Sequence, residues 1–402
     1  MEFGLSEEEL MIRETAARFA EQEAARRAAA ADEAELFDRR SFDGMAELGF
    51  AALPWPEEAG GGGGGFAGFA LALQELSRTS ASLGAALWGH VYLAAWPLLR
   101  FGGADAKRRH LGALMAGTAL GAGMLPGATS AASRLRAGAT ARREGDAYVL
   151  DGQQGYMLGG AEADLFVVYA ETAPERGNGT GGGDGSARGN GAGTRGRKRY
   201  TALLLERGLP GLTVRPVTRK LGLRAAGMAH LTFEGCRVPA AYRLGREGRG
   251  QDVARGAAVG ARCGLASVAA RLASGADDAA LGYAKARAQF GKPIAKHQAI
   301  AFLLADLETA ADAARLLALQ AAWRADAGAP DAGASALALR YAADAAMHAG
   351  IQAVQVYGGY GYMKEFPVER YMRDAKAVQM FTALDRLPRT RRGAGKGGGR
   401  GG

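Results

Sequence analysis

The fold turns on one stretch, Gly145-Asp146-Ala147-Tyr148-Val149-Leu150-Asp151-Gly152. It sets a short run of aromatic and β-branched side chains between Gly and Asp on both sides, which reads as a strand bounded by turns. Working upstream, apolar residues recur at three- and four-residue spacing from Ser6 to Arg40, from Phe66 to Phe101 and from Asp105 to Ala116, the period of helices. Downstream, Leu165–Tyr169, Tyr200–Leu205, Leu212–Val214 and His230–Phe233 repeat the strand pattern, broken by Gly, Pro and Asp. Past Val238-Pro239 the chain returns to Ala-rich helical segments, roughly Gln251–Gln289, His297–Ala325 and Ala334–Val356. Helices, a small sheet domain and a helical bundle, in that order, are the expected architecture.

Composition narrows the function classes. The 402 residues carry a net charge of +9, which raises the question of a polyanionic partner. Residues 173–199 contribute +4 of it and residues 388–402 contribute +5, so the remainder of the chain is near neutral. Those two segments also hold ten and seven glycines. Such Gly/Arg composition cannot bury enough apolar surface to offset ordering entropy, so a disordered loop (173–199) and a disordered basic tail (389–402) are expected. Neither interleaves aromatic residues that would stack on bases, and no nucleic acid partner is expected. Cys236 and Cys263 are too few to staple a chain of this length, which suits a reducing compartment. The acidic start and the lack of a long apolar run predict a soluble cytoplasmic protein with no membrane partner. The five histidines do not pair into a metal site, and an isolated one such as His297 is ordinarily surface or satisfied core.

Several blocks then occur in a fixed order. They are Gly145–Gly152, Lys220-Leu221-Gly222-Leu223-Arg224, Phe233–Pro239, Arg287-Ala288-Gln289-Phe290-Gly291-Lys292-Pro293-Ile294, His297-Gln298-Ala299-Ile300, Val354–Tyr362, Glu365–Arg370 and Arg373-Asp374-Ala375-Lys376. Through them the chain resembles the acyl-CoA dehydrogenase family from about Phe3 to Arg386. The resemblance implies an α+β, mostly α fold: an N-terminal helical domain (1–120), a middle β-barrel-like domain (121–240) and a C-terminal four-helix bundle (241–388). It also implies FAD as cofactor, an acyl thioester of coenzyme A or a carrier protein as substrate, oxidoreductase action on CH–CH donors, and a homodimer or homotetramer. By that resemblance Arg287, Gln289, Phe290, Gln298, Gln355, Gly358 and Gly359 contact FAD across a subunit interface. The chemistry is apt: Arg287 can make charge-assisted hydrogen bonds to phosphate, Phe290 offers a ring near adenine, and Gly358-Gly359 lets backbone approach a pyrophosphate.

Elsewhere the chain departs from the family. Abstraction of an α-proton needs a carboxylate over the substrate's α-carbon. The stretch that usually supplies it, Tyr-Glu-Gly-Thr, aligns with Phe381-Thr382-Ala383-Leu384, so Thr382 occupies the base position and is not expected to act as a base. A minority of members place the Glu before an Arg 25 residues ahead of the Arg/Gln/Phe block; Arg262 and Arg287 keep that spacing, but the preceding residue is Ala261. Asp385 is the candidate substitute. The loop that lines flavin and thioester aligns with Met124–Ala131 and keeps Ser130, assigned to both cofactor and substrate. A Trp-Ile-Thr-Asn stretch beside the flavin ring aligns with Tyr156-Met157-Leu158-Gly159, which keeps an aromatic at Tyr156 and loses the hydroxyl at Leu158. Arg262 and Arg224 align with positions near the thioester and its carrier. Three readings follow: a flavoprotein oxidoreductase with a non-standard or relocated base; a catalytically inactive homologue serving as a structural or carrier-binding subunit; or a flavin monooxygenase-type activity on the same fold.

Overall fold

A computed structural model describes residues 4–124, 138–172 and 199–382. The expected loop from 173, the tail from 389, Ser130 and Asp385 lie outside the described residues. The chain forms two compact units, Met1–Ala257 and Ala258–Gly402.

The first unit opens with α1 (Glu7–Phe19), started by a capping box in which Ser6 Oγ accepts from Glu9 N–H and Glu9 Oε2 accepts from Ser6 N–H. A π-helical turn joins it to α2 (Ala25–Ala34), which ends at Glu35 in the left-handed conformation, φ 54°. The helical stretch expected from Ser6 to Arg40 is thus divided at Glu35. Ion pairs from the Glu35 carboxylate to Lys220 (3.7 Å) and Arg224 (3.2 Å), with a hydrogen bond from the Lys220 amide, hold the strained residue. After α3 (Arg39–Glu47), the Gly60–Gly64 run is a tight loop whose amides donate to carbonyls of residues 52–57. Helices α4 (Gly65–Ser77) and α5 (Ala81–Trp88) follow, then a π-helical segment, Gly89–Ala95, then α6 (Trp96–Phe101) and α7 (Ala104–Met115).

The strands are β1 (Gly121–Gly123), β2 (Thr140–Glu144), β3 (Ala147–Met157), β4 (Leu165–Thr172), β5 (Tyr200–Glu206), β6 (Leu212–Pro216), β7 (Ala229–Pro239) and β8 (Arg243–Leu244). They pair in the order β6-β7-β3-β2-β4-β5-β8, with β1 parallel to β4. Inward residues of β2 to β7, among them Tyr148, Leu150, Phe166, Val168, Leu203, Leu231 and Phe233, share one core, which gives the sheet its barrel-like character. Antiparallel pairing of β4 with β5 runs from Leu165↔Glu206 to Glu171↔Tyr200, so the Gly/Arg segment connects adjacent strands.

Helix α8 (Gly250–Ala286) stops short of the expected Gln289, because Arg287 leads into a hairpin of β9 (Ala288–Gln289) and β10 (Lys292–Pro293). In the second unit α9 (Gln298–Asp326), α10 (Ala332–Tyr357) and α11 (Val368–Phe381) complete the bundle. Alanines dominate the buried positions of α9 and α10, where small side chains let helices approach closely. No described helix is long and apolar enough to cross a membrane.

Candidate active site

In the second unit, the rings of Tyr283 in α8 and Tyr357 in α10 stack with centroids 4.1 Å apart, and the Tyr357 hydroxyl donates to the Ala279 carbonyl. That contact sets the C-terminal ends of the two helices side by side. One turn beyond Tyr283, Arg287 is exposed and makes no ion pair among the described residues. The hairpin after it turns at Phe290 and Gly291, both left-handed, and leaves the Phe290 ring 93% exposed. A bulky residue at φ 51° is rare and needs outside support. His297 supplies it: Nε2 donates to the Gln289 carbonyl at 3.2 Å, and its ring meets Phe290 edge to face at 6.1 Å. Gln298 is the exposed first residue of α9.

Beyond Tyr357, the Gly358 amide donates to the carbonyl of Gln355, and Gly358 takes φ 59° and ψ −135°. A side chain at Gly358 or Gly359 would meet nothing within 4 Å, so both face open space. An unpaired guanidinium, an exposed ring and an open Gly-Gly shelf thus gather at one end of the bundle, a donor set suited to a dianionic pyrophosphate with an attached base.

The first unit carries the residues expected at the reactive ring. His90, in the π-helical segment, fixes β1: its Nδ1 accepts from Gly121 N–H at 3.0 Å and its protonated Nε2 donates to the Leu114 carbonyl at 2.8 Å. Burial, opposed by the Leu114 bond, pushes the His90 pKa down to about 4, so the ring stays neutral. Leu158 bridges to Gly123 at the end of β1, is 2% exposed, and Met124 beside it is buried. Among the described residues, Leu158, Gly123 and Met124 make this corner apolar and bring no side-chain hydroxyl to it. Tyr156 projects from a bulge in β3 and stays 42% exposed.

Thr382 terminates α11, and its Oγ1 donates to the Gln379 carbonyl at 2.7 Å. The hydroxyl is thus spent on the helix end. At the alternative position, Ala261 is wholly buried. Arg262 is 3% exposed and donates to the Ala332 carbonyl at the start of α10. Arg224 is paired with Glu35 and donates to the Glu33 carbonyl.

The structure brings Arg287, Gln289, Phe290, Gln298, Gln355, Gly358 and Gly359, the residues expected at FAD, to one end of the bundle. Sequence reasoning missed the Tyr283–Tyr357 stack, the bracing role of His297 and the joint at His90. Each is one aromatic or imidazole whose partner is distant in sequence or a backbone carbonyl, so no local pattern marks it.

Comparison with known proteins agrees with this layout. Residues 6–118 match the N-terminal domain model of acyl-CoA dehydrogenases, and residues 248–382 match the C-terminal domain model. An acyl-CoA dehydrogenase of Bacillus subtilis (strain 168) is 36% identical over 387 residues, covering 96% of this chain and 97% of that protein. The structure of butyryl-CoA dehydrogenase from Megasphaera elsdenii superposes with a TM-score of 0.85 at 33% identity, over 96% of this chain and 97% of that one. A structure of PigA with FAD and proline gives a TM-score of 0.82 at 27% identity, over the same shares of the two chains. With both terminal domain models matched and relatives similar along nearly the whole length, the chain belongs to the acyl-CoA dehydrogenase family.

Proposed function

We propose that this chain is a flavoprotein that oxidises the Cα–Cβ bond of an acyl thioester, carried on coenzyme A or on a carrier protein, with its base located away from Thr382. It is an oxidoreductase on CH–CH donors and FAD is its cofactor. The observation that carries the reading is the open Gly358-Gly359 shelf beside the unpaired Arg287 and the exposed Phe290. FAD bound in PigA, a relative in fold and sequence, supports it.

When bound, FAD supplies the hydride acceptor. The chain's own residues do the rest. Arg287 neutralises phosphate charge, Phe290 packs against the adenine, and Gln289, Gln298 and Gln355 offer amide groups to the ribose and phosphates. Tyr156 flanks the reactive ring, and Leu158 shapes its pocket without a hydrogen bond. A threonine hydroxyl that donates to the Gln379 carbonyl is no base for an α-proton, so that proton leaves to another group, for which Asp385 is our candidate. Exposed Phe302, Leu316, Trp323, Leu337 and Ile351 on the bundle support assembly as a homodimer or homotetramer. Buried free thiols at Cys236 and Cys263 support a cytoplasmic location.

The same Thr382 and Leu158 geometry favours a second reading, an inactive homologue that keeps the fold as a structural or carrier-binding subunit. An absorption spectrum separates the two. Roughly one flavin per chain, bleached anaerobically by some member of an acyl-CoA panel, is the expected result. A colourless protein that ignores added FAD refutes the flavoprotein reading, and bound flavin that no acyl-CoA bleaches favours the inactive subunit. Asp385→Ala should lower the bleaching rate by about 10²-fold or more, the usual contribution of a placed general base, whereas in a chain with no relocated base Thr382→Glu should raise it by as much.

A further inference from the structure

Strand β3 runs in register with β7 through Gln153↔Thr232 and Gln154↔Leu231, then slips, resuming at Met157↔Ala229. Gly155 and Tyr156 therefore stand together opposite one residue, His230, an arrangement that redirects side chains at the bulged strand. Tyr156 takes φ 58°, a left-handed backbone that costs a non-glycine residue about 1–2 kcal/mol. Something must hold it there. The His230 ring packs against the Tyr156 ring at 61° with centroids 4.7 Å apart. Gly155 is what admits the imidazole, since a Cβ on it would lie 2.5 Å from His230 Nδ1 and 2.7 Å from Cε1. His230 is half-buried on the outward face of β7, and Arg215 of β6 is its register partner on the other side.

We propose that His230 is a positioning residue: it clamps the Tyr156 ring in its left-handed bulge and so fixes the aromatic wall of the flavin pocket, with Gly155 as the notch that seats it. This rests on the flavoprotein reading for the identity of the pocket, while the clamp stands on this chain's own geometry. Met157, which ends β3, and Leu158 just past it are buried, so an error in the bulge propagates directly into the apolar corner beside Gly123.

Three variants test it: His230→Ala, His230→Phe, which restores a ring without imidazole nitrogens, and Gly155→Ala, which leaves His230 intact but blocks its seat. The first readout needs no cofactor. Nitration of Tyr156 by tetranitromethane, quantified by peptide mass spectrometry on flavin-free protein, should rise several-fold in His230→Ala and Gly155→Ala and return towards the wild-type extent in His230→Phe. The second is the visible circular dichroism of bound FAD, which should change in the first two variants and be rescued in the third. Unchanged nitration in His230→Ala, or no rescue by His230→Phe, overturns the clamp. Raised nitration with unaltered flavin dichroism overturns the role in the pocket. Raised and rescued nitration in a protein that takes up no FAD upholds the clamp and refutes the flavoprotein reading instead.

Discussion

Replacing Asp277 by Asn should abolish a decline in bundle stability that the wild-type chain shows as pH rises. Asp277 lies within α8, 2% exposed, with one carboxylate oxygen bonded to Glu308 of α9 and Oδ1 without a hydrogen-bond partner. Burial raises its pKa most, the Glu308 hydrogen bond and charge add to that, and Asp278 contributes last, together taking it from 3.8 to about 7. In the unfolded chain the proton leaves near 3.8, whereas in the folded chain it is held until about 7. Stability is therefore full at the acid end, falls across that interval and is level above it. At 1.36 kcal/mol per pH unit the whole fall is at most ~4 kcal/mol. Asn cannot ionise and can still hydrogen-bond Glu308, so Asp277→Asn should match the wild type within ~1 kcal/mol at pH 4 and exceed it by a few kcal/mol at pH 8. Glu308→Gln, which removes the like charge but not the burial, should give an intermediate slope. Urea unfolding followed by far-ultraviolet circular dichroism at pH 4, 6 and 8 measures this. Parallel stability curves for the wild type and Asp277→Asn would refute the claim that Asp277 holds its proton in the folded chain.

His90 predicts the opposite trend in the first unit. Its pKa is held at about 4 against 6.5, so stability present above pH 6.5 should be lost by up to ~3 kcal/mol as pH falls towards 4, and His90→Gln should flatten that slope in the same unfolding assay. Arg287→Ala removes a charge-assisted contact worth about 1.5–3 kcal/mol, so FAD affinity by equilibrium dialysis should drop by roughly 10- to 100-fold with unfolding unchanged. Leu158→Thr buries a hydroxyl in a dry corner and should cost flavin-free protein about 1–3 kcal/mol, a loss that excess FAD recovers if the ring accepts that hydrogen bond. Thermal unfolding with and without FAD decides it, and an equal loss in both conditions counts against a flavin at Leu158.

The order of helices, sheet and bundle was legible because burial imposes periods of 3.6 and 2 on the sequence, and this chain obeys both over long stretches. Where reading failed, the deciding partner was far away. Glu35 is an ordinary helix residue in sequence, and it becomes a helix terminus only because Lys220 and Arg224, nearly two hundred residues on, anchor its carboxylate. Strand β2, Thr140-Ala141-Arg142-Arg143-Glu144, is too polar to read as a strand and is held by pairing with β3 and β4. Helix α11 hides behind charged residues, with Val368, Asp374, Ala375 and Val378 as its buried set. The bulge at Tyr156 lacks the usual glycine at its left-handed position, so nothing local announces it.

The same distinction explains why the two ends of the candidate site differ in how well the sequence reveals them. The roles proposed for Arg287, Phe290 and Gly358-Gly359 rest on backbone shape and exposure, properties that a short motif encodes by itself. The proton-transfer position depends on one side chain whose surroundings must remain intact when its identity changes. Here they do: α11 keeps its buried residues through Val378, the Lys376 ammonium donates to Gln379, and Thr382 is held by the carbonyl of that same residue. On the proposed assignment of Thr382 to the base position, the missing carboxylate is a change of chemistry on an ordered helix end. That makes Thr382→Glu a clean discriminator. If chemistry alone was lost, one substitution should restore proton abstraction; if the flavin corner at Leu158 has also closed, the same variant will fold, without the Thr382 bond to the Gln379 carbonyl, and remain inert.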